Sequence, residues 1–372
     1  MKKKIMVIFG TRPEAIKMAP VVKELIADEQ TTPIVVVTGQ HREMLKQVLD
    51  FFQIKPDYDL DIMEKNQSLE QITSKVLLGL PPIFQQEQPD LVLVHGDTTT
   101  TMAASLSAFY HHIPVGHVEA GLRTWNLASP FPEEANRQIT DDLARLYFAP
   151  TKLSQQNLLK EHHQADRIFI TGNTAIDALK YTVNHEYHHQ VLDQIPDDHR
   201  IILLTMHRRE NQGTPMLNVF HAVRKVALAN PDLDIIYPVH LSPKVQELAH
   251  QVFDGIKNIH LIAPLDVVDF HNLAARSYFI MTDSGGVQEE APSLNKPVLV
   301  LRDTTERPEG VEAGTLKLVG TEMDNVQQAM LQLLNDPQEY QRMTEAQNPY
   351  GDGHAAKRIV EHCKQFLNQD RR

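Results

Sequence analysis

Acidic and basic side chains recur in this sequence where short apolar runs break off. Gly10-Thr11-Arg12-Pro13-Glu14-Ala15-Ile16-Lys17 follows the first run, His95-Gly96-Asp97-Thr98-Thr99-Thr100 a later one, and Glu119-Ala120-Gly121-Leu122-Arg123 the next. Pro132-Glu133-Glu134-Ala135-Asn136-Arg137 lies beyond them. In the second half, Met206-His207-Arg208-Arg209-Glu210-Asn211 and Arg302-Asp303-Thr304-Thr305-Glu306-Arg307-Pro308-Glu309 follow apolar runs in the same way. Several placed carboxylates suit proton transfer, and clustered Arg and Lys suit a phosphate.

The most informative stretch is Thr282-Asp283-Ser284-Gly285-Gly286-Val287-Gln288-Glu289-Glu290. A β-prone run, Tyr278–Met281, precedes it and a helical pattern follows. A strand that breaks at Ser-Gly-Gly and enters a helix offers free backbone N–H groups to an anion, and glycine lets the backbone come close. Glu290, about one turn further on, could accept hydrogen bonds from ribose hydroxyls. Each piece also has a plainer reading. Ser-Gly-Gly alone fits an ordinary turn, Arg12 and Lys17 fit a solvated helix start, and Asp97 fits an N-cap for the Thr-rich helix after it. Glu119, just past an apolar strand, and His207, followed by two arginines, fit a site better than a core.

Strands and helices must position these groups. β-branched runs at Ile5–Phe9, Ile34–Thr38, Leu91–Val94, Val115–Val118 and Tyr147–Ala149 form one series. Ile168–Ile170, Ile201–Thr205, Ile235–Val239, Ile259–Ile262, Tyr278–Met281 and Val298–Leu301 form a second. Helical patterns alternate with them, which predicts an α/β chain with parallel, doubly covered sheets. The expectation is two Rossmann-like domains facing across a cleft, residues 1–168 and 169–355, with the last helix, 356–372, packing back on the first. The polar stretch 184–198 is read as an early loop of the second domain. Ligands then bind outside the carboxyl ends of the strands.

At 372 residues, two domains are the default. A net charge of −12 argues against nucleic acid as a partner. An anionic substrate would need a local basic cluster working against that sign. The single cysteine, Cys363, excludes an internal disulfide framework. No stretch approaches the roughly 20 apolar residues of a membrane span, and the apolar run behind Met1-Lys2-Lys3-Lys4 is too short for a signal peptide, so a cytoplasmic protein without a membrane partner is expected. The first turn lacks Gly-x-Gly-x-x-Gly, so bound NAD or FAD is not signalled, and no P-loop is present. The pairs His111-His112, His162-His163 and His188-His189 lack zinc spacing. Neither cofactor nor metal is expected. The combined reading is a nucleotide-sugar site between two domains, with acid–base work done by carboxylates.

At these residues the chain closely resembles the non-hydrolysing UDP-N-acetylglucosamine 2-epimerases of bacteria. The resemblance rests on residues 10–20, 95–101, 116–124, 207–211, 282–293 and 302–309, with Asn-Pro-Tyr-Gly-Asp-Gly at 348–353, and runs in order along nearly the whole chain. It implies a GT-B-like fold and interconversion of UDP-GlcNAc and UDP-ManNAc for cell-surface polysaccharides such as teichoic acid. It also implies a route: UDP is eliminated across C1–C2 to give 2-acetamidoglucal, a proton returns on the opposite face, and UDP adds back. By resemblance, Asp97, Glu119 and Glu133 are the acid–base candidates and His207 sits by the leaving pyrophosphate. Arg12, Lys17, Arg307 and Ser284-Gly285-Gly286 would hold UDP, with Glu290 on the ribose and Phe270 near the base. Some members are activated by a second UDP-GlcNAc, and the matching positions are Gln40, Glu43, Glu133, Arg208 and His240. Asn66 stands where a relative has a basic residue, and Asn295 replaces a frequent glycine. A homodimer is expected. The rival readings are a GT-B glycosyltransferase, a hydrolysing epimerase releasing free ManNAc, and a nucleotide-sugar sensor.

Overall fold

The computed structural model describes residues 2–39, 42–64 and 66–369, and of 42–44 the backbone alone. The chain divides into two compact units, Met1–Ala178 with Tyr350–Arg372, and Leu179–Pro349. The first unit holds β1 (Lys3–Phe9), β2 (Thr31–Val37), β3 (Tyr58–Asp59), β4 (Leu91–His95), β5 (Val115–Val118), β6 (Leu146–Ala149) and β7 (Ile168–Ile170). They form one parallel sheet in the order β3-β2-β1-β4-β5-β6-β7. The second unit holds β8 (Arg200–Thr205), β9 (Leu233–Pro238), β10 (Ile259–Ile262), β11 (Phe279–Thr282), β12 (Val298–Val300) and β13 (Leu316–Leu318), parallel in the order β10-β9-β8-β11-β12-β13. Both are doubly wound, Rossmann-like sheets. Strand order reverses beside β1 and β4 in one and beside β8 and β11 in the other, and each reversal opens a crevice at the carboxyl ends.

Burial on both faces explains why the strands read as continuous apolar runs. In β1, Ile5, Val7 and Phe9 enter one core while Met6 and Ile8 enter the core on the opposite face. In β8, Ile202 and Leu204 face one core and Leu203 the other. Ile168–Ile170, grouped above with the second series, is in fact β7 of the first sheet, paired with β6. The first unit therefore extends past 168, to Ala178, and its C-terminal segment begins at Tyr350 instead of 356. The Ala355–Gln369 helix packs through Ile359, Val360, Cys363 and Phe366 into the core that also takes Val22 and Leu25 of the Arg12–Ala27 helix. Asp177 accepts Ala355 N (3.1 Å) and Ala356 N (2.9 Å) at its start. Gly351 (φ +138°) lets the returning chain meet Gly172, where an added Cβ would lie 3.3 Å from the Gly172 Cα. No helix among the described residues is long and apolar enough to cross a membrane.

Candidate active site

In the first unit, the carboxyl ends of β1, β4 and β5 meet around Glu119. Thr11 caps the Arg12–Ala27 helix in a capping box with Glu14, whose Oε2 accepts Gly10 N (3.0 Å) and Thr11 N (2.8 Å). Glu14 Oε1 also accepts the Thr98 hydroxyl (2.7 Å), tying the β1 turn to the β4 turn. That frame aims Lys17, one turn and a half into the helix, at Glu119, and the two form an ion pair. Glu119 sits just past β5 in the left-handed region (φ +67°), a conformation costly for a side chain of its size. Its Oε2 also receives Asn173 Nδ2 at 3.2 Å and lies 3.6 Å from His95 Nε2. Burial alone would raise this carboxyl, but the charges of Lys17 and His95 outweigh it and hold Glu119 well below the usual carboxylate range.

Asp97 follows the end of β4. Thr98, not Asp97, caps the Thr99–Tyr110 helix by accepting Thr101 N (3.0 Å), so the Asp97 carboxylate is left to pair with Arg137. Asn136 Nδ2 holds the Asp97 carbonyl at 2.9 Å. Arg137 is itself fixed by buried Glu134 (2.8 Å), which accepts Thr124 N and Trp125 N at 3.0 Å each. Glu133 is the first residue of the Glu133–Leu143 helix and, unlike that of its neighbour Glu134, its side chain has no hydrogen-bond or ionic partner among the described residues. The side chain of Arg12, at the first position of its helix, likewise makes no polar contact among the described residues. Beneath this surface, fully buried His117 bridges Asp141 Oδ1 (2.6 Å) and the Gly96 carbonyl (2.7 Å), and Arg123 pairs with Asp141 at 2.7 Å. Burial would raise Asp141, yet His117 and Arg123 hold it below its ordinary value. This buried network fixes the loop between β4 and Asp97.

In the second unit, the carboxyl ends of β8 and β11 organise around Asp283, which has no exposed surface. Asp283 accepts His207 N (3.2 and 3.1 Å), Arg208 N (2.9 Å) and Asn211 Nδ2 (3.0 Å), and its Oδ1 lies 3.3 Å from His207 Nδ1. One buried carboxylate thus shapes the loop that presents His207. Ser284 begins the Gly285–Glu290 helix without a side-chain cap, so its hydroxyl is not spent on the helix. A six-residue helix has little macrodipole, so anion binding here would rest on the local N–H groups themselves. A Cβ on Gly285 would lie 2.9 Å from the Arg307 guanidinium, whereas one on Gly286 would meet nothing within 4 Å. Arg307 is held over that turn by Glu289 (2.9 Å). Glu290 Oε2 lies 3.2 Å from buried His271 Nε2, and Phe270, its neighbour on the Val267–Arg276 helix, packs against the core containing Val287.

Among the residues expected to bind an activator, His240 stacks on His207 (centroids 5.7 Å, 19°) and Arg208 lies 3.5 Å from Glu306. Gln40 and the side chain of Glu43 lie outside the described residues, and Glu133 belongs to the first unit. Reasoning from sequence missed Glu14, His95, His117, Asp141, Asn173, Arg137, Asp283 and Glu289. For His95, His117 and Asp283 the detectable signal was a polar residue in or directly after an apolar strand, since such a group needs a partner when buried. The others lie in helices or loops and gave no such signal.

The model of the family described as UDP-N-acetylglucosamine 2-epimerase matches residues 23–364. The chain belongs to this family. A Bacillus subtilis UDP-N-acetylglucosamine 2-epimerase is 62% identical over 360 residues, which span 97% of this chain and 94% of the relative. A crystal structure of a UDP-N-acetylglucosamine 2-epimerase, 59% identical, superposes with a TM-score of 0.93 over 100% of this chain and 98% of the other. The Neisseria meningitidis UDP-GlcNAc 2-epimerase, solved bound to UDP-GlcNAc, is 50% identical with a TM-score of 0.86, over 97% of this chain and 100% of the other. Family membership thus extends over both units.

Proposed function

We propose that this chain interconverts UDP-GlcNAc and UDP-ManNAc, as a homodimer in the cytoplasm, supplying cell-surface polysaccharide synthesis. The observation that carries the reading is the part-buried Glu119 carboxylate, kept ionised by Lys17 beside the strand-order reversal of the first sheet. The backbone strain, the partial burial and the ion pair of this carboxylate together support a functional role for it over a purely structural one. The proton at C2 of the sugar is not adjacent to a carbonyl, so direct abstraction would be prohibitively uphill. Elimination of UDP across C1–C2 avoids that barrier: the C1–O bond breaks as the C2 proton leaves, giving UDP and 2-acetamidoglucal. A proton added at the opposite face of C2, with return of UDP to C1, completes the inversion.

This route needs acid–base groups on two faces, for which we assign Asp97, Glu119 and Glu133. Arg12 and Lys17 of the first unit serve the phosphates. In the second unit, Ser284, Gly285, Gly286 and Arg307 serve the diphosphate, Glu290 the ribose and Phe270 the base, while His207 stabilises charge on the leaving pyrophosphate. Gln40, Glu43, Glu133, Arg208 and His240 are assigned to a second, activating UDP-GlcNAc. The stacking of His240 on His207 supports that pairing, because it ties a residue of the activator set to one at the leaving group. Incubating the purified protein with UDP-GlcNAc alone and following the sugar by proton NMR tests the reading. UDP-ManNAc should appear with no acceptor added. Free ManNAc with UDP, or an unchanged spectrum, would refute it.

A further inference from the structure

His95, the last residue of β4, is 4% exposed, and neither of its ring nitrogens has a hydrogen-bond partner. Its main chain is fixed by the Thr101 hydroxyl on its carbonyl (2.6 Å), but its ring is not. A buried polar group without a hydrogen bond is costly, so an unbonded imidazole here calls for a reason. The ring points at a carboxylate: Nε2 is 3.6 Å from Glu119 Oε2, just beyond hydrogen-bond reach. The register places it there, because His95 pairs with Val118 and Glu119 is the next residue along.

The oxygen that His95 faces is the one held by Lys17 and Asn173. In the reading above, Lys17 also serves a phosphate of the substrate, so one ammonium faces two anions. We propose that His95 is a positioning residue for Glu119, closing onto Oε2 when a phosphate draws Lys17 away. This inference rests on the nucleotide-sugar reading for that second demand on Lys17. A ring movement that shortens the gap by roughly 1 Å makes a charge-assisted hydrogen bond, and the carboxylate stays aimed while its first partner is engaged elsewhere.

The charged and titratable groups on or just after β1, β4 and β5 are otherwise engaged. Glu14 of the Arg12–Ala27 helix is spent on Gly10 N, Thr11 N and the Thr98 hydroxyl. His117 of β5 is spent on Asp141 and Gly96, and Asp97 on Arg137. Lys17 and His95 are thus the cationic groups that bear on Glu119 among the described residues.

The test is a carboxyl 13C NMR titration of glutamate-labelled protein, with the Glu119 signal assigned from Glu119→Gln. Wild type and His95→Gln are compared with and without saturating UDP. With UDP, the Glu119 midpoint should rise by about 1 pH unit in the variant, since it loses its remaining close cation. Coincident titrations in the presence of UDP would overturn the proposal. Should the variant fail to fold, 15N-histidine NMR of the wild type decides. Addition of UDP should move the His95 Nε2 signal as a hydrogen bond forms, and an unmoved signal overturns the proposal. If UDP does not bind at all, the nucleotide reading fails by itself, and the ligand-free titration then judges His95. A raised midpoint in the variant keeps it as a partner of Glu119, and coincidence removes it.

Discussion

Changing Asp283 to Asn probes the second unit at its most constrained point. The carboxylate accepts His207 N, Arg208 N and Asn211 Nδ2 at 2.9 to 3.2 Å with no exposed surface. Hydrogen bonds to a charged acceptor are each worth about 1.5–3 kcal/mol, and a neutral acceptor gives about half of that. The amide keeps one acceptor oxygen and turns an NH2 group toward a donor, so at least one bond is lost and the others weaken. The expected loss is about 3 kcal/mol, most of it from the mismatched donor. For a unit of this size, that is roughly 6–12 °C in the unfolding transition. Differential scanning calorimetry reads the transition, and isothermal titration reads UDP affinity, which should fall about tenfold as the His207 loop loses its anchor. An Asn variant that melts within a degree of wild type and binds UDP equally well would refute the assignment of Asp283 as organiser of that loop.

Glu119→Gln and Asp97→Asn should each retain UDP binding but lose about a hundredfold or more in turnover, and near-normal rates in both would overturn the acid–base assignment. Glu133→Gln, if Glu133 mainly serves the activator, should show a smaller rate loss with altered dependence on UDP-GlcNAc concentration. Gly285→Ala should weaken UDP binding and displace Arg307, because its Cβ would lie 2.9 Å from that guanidinium, while Gly286→Ala should leave the unfolding transition unchanged and affect only ligand affinity. Glu306 is held at about 2 in spite of partial desolvation, chiefly by the Arg302 hydrogen bond. A depressed carboxyl contributes stability above its ordinary value of about 4.5 and loses it as pH falls toward about 2. The melting-temperature gap between wild type and Glu306→Gln should therefore be full at neutral pH and narrow steadily below pH 4.5.

Most of the central strands were legible because each is an apolar β-branched run buried on both faces, a pattern that survives without knowledge of neighbours. The edges were not. β3 is two residues long, and β13 alternates Leu-Lys-Leu at the rim of its sheet, so neither makes a run. Ile168–Ile170 was recognised as a strand but placed in the wrong sheet, since nothing local states which neighbour a strand joins. At the site, Glu119 and His207 stood out because each polar residue lies at or just past the end of an apolar strand. Asp97 was named only through the resemblance, and its plainer reading as an N-cap gives way in the structure, where Thr98 caps the helix and the Asp97 carboxylate pairs with Arg137. Pairs such as His117 with Asp141 and Arg307 with Glu289 join groups far apart in sequence, and only folding brings them together.

The measurement that bears most directly on the chemistry is isotope uptake at C2 during turnover. UDP-GlcNAc incubated with the protein in D2O should equilibrate with UDP-ManNAc, and both sugars should acquire deuterium at C2 by NMR and mass spectrometry. Complete epimerisation with the C2 proton retained through many turnovers would contradict elimination and re-addition at Glu119 and its partners.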